Sequence, residues 1–76
     1  MLSEVITNKE YRNDDTLMYE ETIGIVAPIF SPLYKNSRIA PNGIIWVRIG
    51  TCRKYKPNGK TEWEIIYDNF GNIIHW

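Results

Sequence analysis

The sequence is poor in the residues that most often carry chemistry: it has one cysteine, one histidine and no net charge. With Cys52 alone, no disulfide forms within the chain, and a lone thiol fits a reducing compartment. Cys52 and His75 are the only soft metal ligands, whereas structural zinc takes four, usually in close-spaced pairs. Glycine-rich phosphate loops, zinc spacings and nucleophile elbows are also missing. The expectation is a chain without metal, cofactor or enzymatic activity. Apolar runs are short. The longest, "IGIVAPIF", is interrupted by Pro28 and falls well below the ~20 residues that span a bilayer. The opening "MLSEVITNKEY" lacks a basic leader and an apolar core segment, so a soluble, cytoplasmic chain with no membrane partner is expected.

What is present begins with size. The 76 residues make one domain, residues 1–76. A domain this small buries only about 60% of the surface its unfolded chain exposes, so its stability is marginal without help. With disulfide and metal set aside, oligomerisation is the remaining aid. The charges sum to zero but are segregated. Residues 1–34 carry six acids and two bases, residues 35–60 carry seven bases and no acid, and residues 61–76 carry three acids. Either the basic block is a patch for an anion, or the two halves pair across the fold; mixed surface charge makes the second the ordinary case. Richness in Ile, Asn, Lys and Tyr fits an AT-rich genome, as many phages and mobile elements have.

Hydrophobic patterning points to strands. Residues 1–15 are poorly patterned: Leu2, Val5 and Ile6 start either a strand or a short helical turn, and "TNKEYRNDD" reads as a loop. Leu17, Tyr19, Ile23 and Ile25 share one parity from Thr16 onward, which predicts a half-buried strand with a break at Glu21. Pro28, Pro32 and Pro41 make residues 27–43 an irregular connection, with Ile29, Phe30, Leu33 and Tyr34 expected to fold back over a core, the alternative being an exposed docking loop. "IIWVRIGTCRKY", "TEWEIIY" and "IIHW" are β-rich runs preceded by "APNG", "KPNG" and "DNFG", a three-stranded meander over residues 44–76. The fold class expected is all-β or mostly β: a small antiparallel meander of four to five strands, as a curled sheet or an SH3-like barrel. "NGKTEWEIIYDNFGN" resembles one hairpin of the aromatic-glycine repeats of cell-wall-binding modules, and "YDNFGNI" resembles the YD repeat of large toxin shells. The first resemblance covers one hairpin and the second one short turn, and neither implies a family.

The central hairpin has a register. "Pro57-Asn58-Gly59" fits a type I turn closed by a left-handed glycine, which sets Lys56 opposite Lys60. Continued without interruption, that register faces Thr51 with Ile65, Ile49 with Tyr67, Arg53 with Trp63, Lys54 with Glu62 and Arg48 with Asp68. The predicted core face then holds Ile45, Val47, Ile49, Thr51, Trp63, Ile65 and Tyr67. A second, mixed face holds Ile44, Trp46, Arg48, Gly50, Cys52 and Lys54 with Glu62, Glu64 and Ile66. That second face is covered either from within or by a partner.

Function is read from what is left over. Cys52 and His75 form a weak nucleophile–base candidate, because one lies mid-strand and the other at a terminus. The adjacent acids Asp14/Asp15 and Glu20/Glu21 make poor acid–base pairs, since neighbouring side chains on a strand point to opposite faces. The expectation is a non-enzymatic module that binds another protein, as an inhibitor or adaptor, or binds a second copy of itself. The candidate contact residues are Trp46, Arg48, Arg53, Lys54, Tyr55, Lys56, Lys60 and Trp76. The alternative is nucleic-acid binding by the basic hairpin 53–60 with its neighbouring aromatics.

Overall fold

The computed structural model describes residues 2–76. Its strands are β1 (Leu2–Tyr11), β2 (Leu17–Val26), β3 (Arg38–Ile39), β4 (Ile45–Tyr55), β5 (Thr61–Tyr67) and β6 (Ile73–His75), with a 3-10 helix over Pro28–Leu33. Every pairing is antiparallel, and the strands lie in the order β1-β2-β4-β5-β6, with the short β3 also beside β4. This is the expected mostly-β meander, with five strands on the main path plus the short β3. The SH3-like barrel does not form. Closure requires the two outermost strands to meet along a tilted ladder. Here β1 and β6 stand at opposite ends of the sheet, and β6 is three residues long. The Cα radius of gyration is 13.7 Å, against about 11 Å for a compact domain of this length.

The N-terminal segment is a correction to the sequence reading. Residues 1–15 were expected to be poorly patterned, with a loop from Thr7 onward. Instead the whole of β1 pairs with β2, from Leu2↔Val26 to Tyr11↔Leu17. The reason lies in its position. β1 is an outer strand on which only Leu2 and Ile6 are half-buried, so no hydrophobic period marks it.

Four turns of one type join the strands. In each, the first residue's N–H donates to the fifth residue's carbonyl: Arg12 to Thr16, Ala40 to Ile44, Lys56 to Lys60 and Asp68 to Asn72, at 2.8–2.9 Å. The fourth residue donates back to the first, and it is left-handed every time: Asp15 (φ 67°), Gly43 (84°), Gly59 (85°) and Gly71 (82°). The third residue caps three of the turns. Asp14, Asn42 and Asn58 each accept the N–H two residues on, at 3.0–3.1 Å. Phe70 holds that place in the last turn, and Asp68 caps it instead through Phe70 N and Asn72 N. The repeated "APNG", "KPNG" and "DNFG" are thus one turn geometry, and "RNDD" is a fourth copy that lacks glycine.

The hairpin turn at Lys56–Lys60 is the expected one, but the register does not continue from it. Tyr55 pairs with Thr61, then Lys54 with Trp63, Arg53 with Glu64, Cys52 with Ile65 and Thr51 with Ile66. Glu62 is an extra residue, a β-bulge. The expected pairs Thr51–Ile65, Ile49–Tyr67, Arg53–Trp63 and Arg48–Asp68 are therefore not made. Because strand side chains alternate, a one-residue slip sends the rest of β5 to the other face. Lys54 and Glu62 still form an ion pair at 3.5 Å. The break expected at Glu21 is present: between Glu20↔Arg53 and Thr22↔Ile49, Glu21 alone spans Gly50, Thr51 and Cys52.

The core is small. Val26, Tyr34, Val47 and Ile49 are buried together, with Leu2 and Ile45 against them. Gly71 lies on Val47 so closely that an added Cβ would overlap Val47 Cγ2, and Tyr34 packs on Phe70 with ring centroids 5.5 Å apart. Asn36 Nδ2 donates to Gly71 O at 2.8 Å, tying the connection to the last turn. Of the four apolar residues expected to fold back over the core, only Tyr34 does so. Ile29 is 81% exposed and Leu33 51%. The 3-10 helix aligns Phe30 and Leu33, three residues apart, and both point outward.

Candidate functional site

The register divides the sheet into two faces, since directly opposed residues share one. The face under Tyr34 holds Val26, Ile45, Val47 and Ile49, and further along it Glu20, Arg53 and Glu64. The other face runs Ile6–Ile23–Arg48 across β1, β2 and β4, then Ile25–Trp46, Tyr19–Lys54–Trp63, Cys52–Ile65 and Gly50–Tyr67. The slip at Glu62 assembles it. Trp63, Ile65 and Tyr67, expected in the core, join Trp46 and Cys52 on the second face. Glu64 and Ile66 cross to the first.

No second layer covers this aromatic face among the described residues. Extensive contact between elements runs only sideways, between paired strands. Trp63 is 39% exposed and Trp76 84%. With Glu64 and Ile65 they line a shallow, largely apolar depression. A second depression nearby is polar and basic, formed by Lys35, Asn36, Ser37, Arg38 and Arg48 against Tyr67 and Ile73.

A polar cluster anchors the face. The Glu21 carboxylate accepts from Tyr19 Oη (2.8 Å), Arg48 Nε (3.0 Å) and Asn8 Nδ2 (3.4 Å). Burial works against its ionisation, but these three donors outweigh burial and hold its pKa below the ordinary carboxylate value. Burial, and then the bonds to Cys52 and Glu21, push the Tyr19 phenol well up. Tyr19 Oη lies 3.0 Å from Cys52 Sγ, and burial raises that buried thiol too. Arg48 sits 5.1 Å from the centroid of the Trp46 ring, and Tyr19 meets Trp63 edge-on at 6.0 Å.

The predicted contact residues fall into three groups. Trp46, Arg48 and Lys54 share the aromatic face, and Trp76 borders it in the depression with Trp63. Arg53 and Tyr55 do not. Arg53 pairs with Glu64 and, at 3.7 Å, with Glu20, and Tyr55 Oη donates to Glu20, all on the face under Tyr34. Lys56 and Lys60 lie in the exposed hairpin turn and make no ion pair among the described residues. Three of the seven bases of the basic block are thus neutralised from within: Arg48 by Glu21, Arg53 by Glu20 and Glu64, and Lys54 by Glu62. Cys52 and His75 do not converge. Cys52 opposes Ile65 on the aromatic face, while His75 pairs with Ile66 across the sheet. No group of three or more His, Cys, Asp or Glu able to hold a metal occurs among the described residues. No helix there is long and apolar enough to cross a membrane.

Tyr19, Trp63, Ile65 and Tyr67 are the residues of this face that sequence reasoning missed or put inside. No local signal marks them, because the alternation of "TEWEIIY" is the same in either register. Comparison of the chain with protein-family models, curated proteins and solved structures gives no match.

Proposed function

We propose that the chain is a non-enzymatic protein-binding module that docks through its aromatic sheet face. The observation that carries this reading is one open face bearing Trp46, Trp63, Ile65 and Tyr67, with Trp76 at its border, on a sheet with no second layer among the described residues. Domains are built of two packed layers, and a partner would supply the missing one. Trp, Tyr and Arg are the residues that carry binding energy when desolvated at an interface. The buttressing of Trp46 by Arg48 and of Trp63 by Tyr19 lowers the entropy lost when they are covered.

The nucleic-acid alternative is the weaker reading, because carboxylates pair with two of the hairpin's four cations, Arg53 and Lys54, and leave only Lys56 and Lys60 to meet phosphate. The test is site-specific photo-crosslinking in cells of the native source, with a benzophenone side chain at Trp63, Trp76 or Thr61. Discrete protein adducts from Trp63 and Trp76, and none from Thr61, exposed on the other face opposite Tyr55, are expected. Equal labelling from all three positions, or adducts with nucleic acid, would remove the reading.

A further inference from the structure

The two borders of the sheet are not alike. β5 is flanked on its outer side by β6 only at Ile66 and Tyr67, and its remaining length carries the Glu62 bulge, which disrupts pairing. β1 is irregular only near its ends, between Leu2 and Glu4 and between Glu10 and Tyr11. It is ten residues long, contains no proline, and its ladder to β2 is regular from Glu4 to Glu10. Its outer row of backbone donors and acceptors has no partner strand among the described residues. Unblunted edges of this length accept another strand.

The sequence of β1 selects which strand. We propose that β1 pairs antiparallel with β1 of a second copy, about a twofold axis through Ile6. An axis perpendicular to the sheet keeps each face on its own side, so opposed residues must have the same parity. Two such registers use almost the full strand. Centred on Thr7, the pairing sets Glu4 opposite Glu10 twice and Val5 opposite Lys9. Centred on Ile6, it sets Ile6 on Ile6, Val5 on Thr7, Glu4 on Asn8 and, toward the bulged end, Ser3 on Lys9 and Leu2 on Glu10. No like charges then stand directly opposed, and apolar meets apolar at the centre. Like charges directly opposed destabilise, while β-branched pairs contribute about 0.2–1 kcal/mol each. Centres at Val5 or Asn8 pair fewer residues and set Ile6 against Glu4 or Glu10.

Val5, 58% exposed, would find a partner, and the two aromatic faces would run on into each other. The pairing would also add the association that so small a core calls for. The proposal is independent of what the aromatic face binds.

The test is sedimentation equilibrium on the full chain with Ile6→Lys, Ile6→Glu and their equimolar mixture. Each variant alone should be monomeric at concentrations where the unaltered chain is a dimer, because two like charges meet on the axis. The mixture should recover the dimer. Disulfide trapping in a Cys52→Ala background guards against variants that fail to fold: Ile6→Cys should cross-link readily and Thr7→Cys poorly. A monomeric unaltered chain, or trapping at Thr7→Cys in preference to Ile6→Cys, overturns the proposal. A monomer that still forms adducts from Trp63 would remove the dimer and leave the protein-binding reading standing.

Discussion

Deleting Glu62 should leave the protein folded, although deletions inside strands usually destroy a sheet. Glu62 is the bulge residue, so its removal joins Tyr55↔Thr61 directly to Lys54↔Trp63 and moves no other side chain across the sheet. The loss is the ion pair with Lys54, 3.5 Å long between side chains that are 45% and 44% exposed. Such pairs contribute about 0–1 kcal/mol, and about 1 kcal/mol corresponds to roughly 4–8 °C in Tm for a domain of this size. Deleting Glu64 is the contrasting case. It lies in the regular part of the ladder, and its loss would turn residues beyond it to the wrong face. Relocating Ile65, Ile66 and Tyr67 at about 1–2 kcal/mol each exhausts the stability of a small domain. Urea titration followed by tryptophan fluorescence reads both variants. A cooperative transition for the Glu62 deletion and none for the Glu64 deletion is expected. Unfolding on deletion of Glu62, with deletion of Glu64 tolerated, would refute the bulge and with it the assignment of the faces.

Other consequences can be measured in the same way. Gly71→Ala should destabilise by about 3 kcal/mol, combining the left-handed backbone with overlap on Val47. Gly59→Ala, equally left-handed but with open space around it, should lose only about 1–2 kcal/mol, and equal losses in denaturant titrations would contradict the packing of the last turn. Asp15→Gly should raise Tm, by about 0.5 kcal/mol of stability, since Asp15 occupies the position that glycine fills in the other three turns. Because the folded pKa of Glu21 is depressed, its cluster contributes stability above the unfolded carboxylate value, and that contribution disappears as pH falls through the lower folded value. Glu21→Gln should flatten that part of the stability–pH curve, and an unchanged curve would show that the cluster is not formed. Cys52, buried with a raised thiol pKa, should react with a disulfide reagent far more slowly than an unfolded-chain control at pH 8.

The parts of the fold legible in the sequence are those written locally. The β-rich runs around Val47, Ile65 and Ile73 and the Pro-Asn-Gly turns name strands and hairpins, because turn geometry depends on a few consecutive residues. β1 was legible only as a strand or a helical turn starting at Leu2, Val5 and Ile6, because an outer strand buries almost nothing and so needs no period. The bulge at Glu62 was illegible for a different reason. Two registers one residue apart differ by a handful of cross-strand pairs, each about 0.2–1 kcal/mol. Pairing Lys54 with Glu62 favours the uninterrupted one, yet the bulge keeps that ion pair as well. What the bulged register adds is non-local: Tyr19 on β2 meets Trp63 on the aromatic face, a contact between residues far apart in sequence. Half of the candidate site followed the same fate. Trp46, Arg48 and Lys54 were identified from β4 alone, whereas Trp63 and Tyr67 depend on where the neighbouring strand slips.

The placement of Trp63 is therefore the point on which the account turns, and nuclear Overhauser contacts of its indole ring test it most directly. Contacts from Trp63 to the Tyr19 ring and to Lys54 are predicted. Contacts from Trp63 to Arg53 and Thr51, in the absence of any to Tyr19, would put the ring on the opposite face and contradict it.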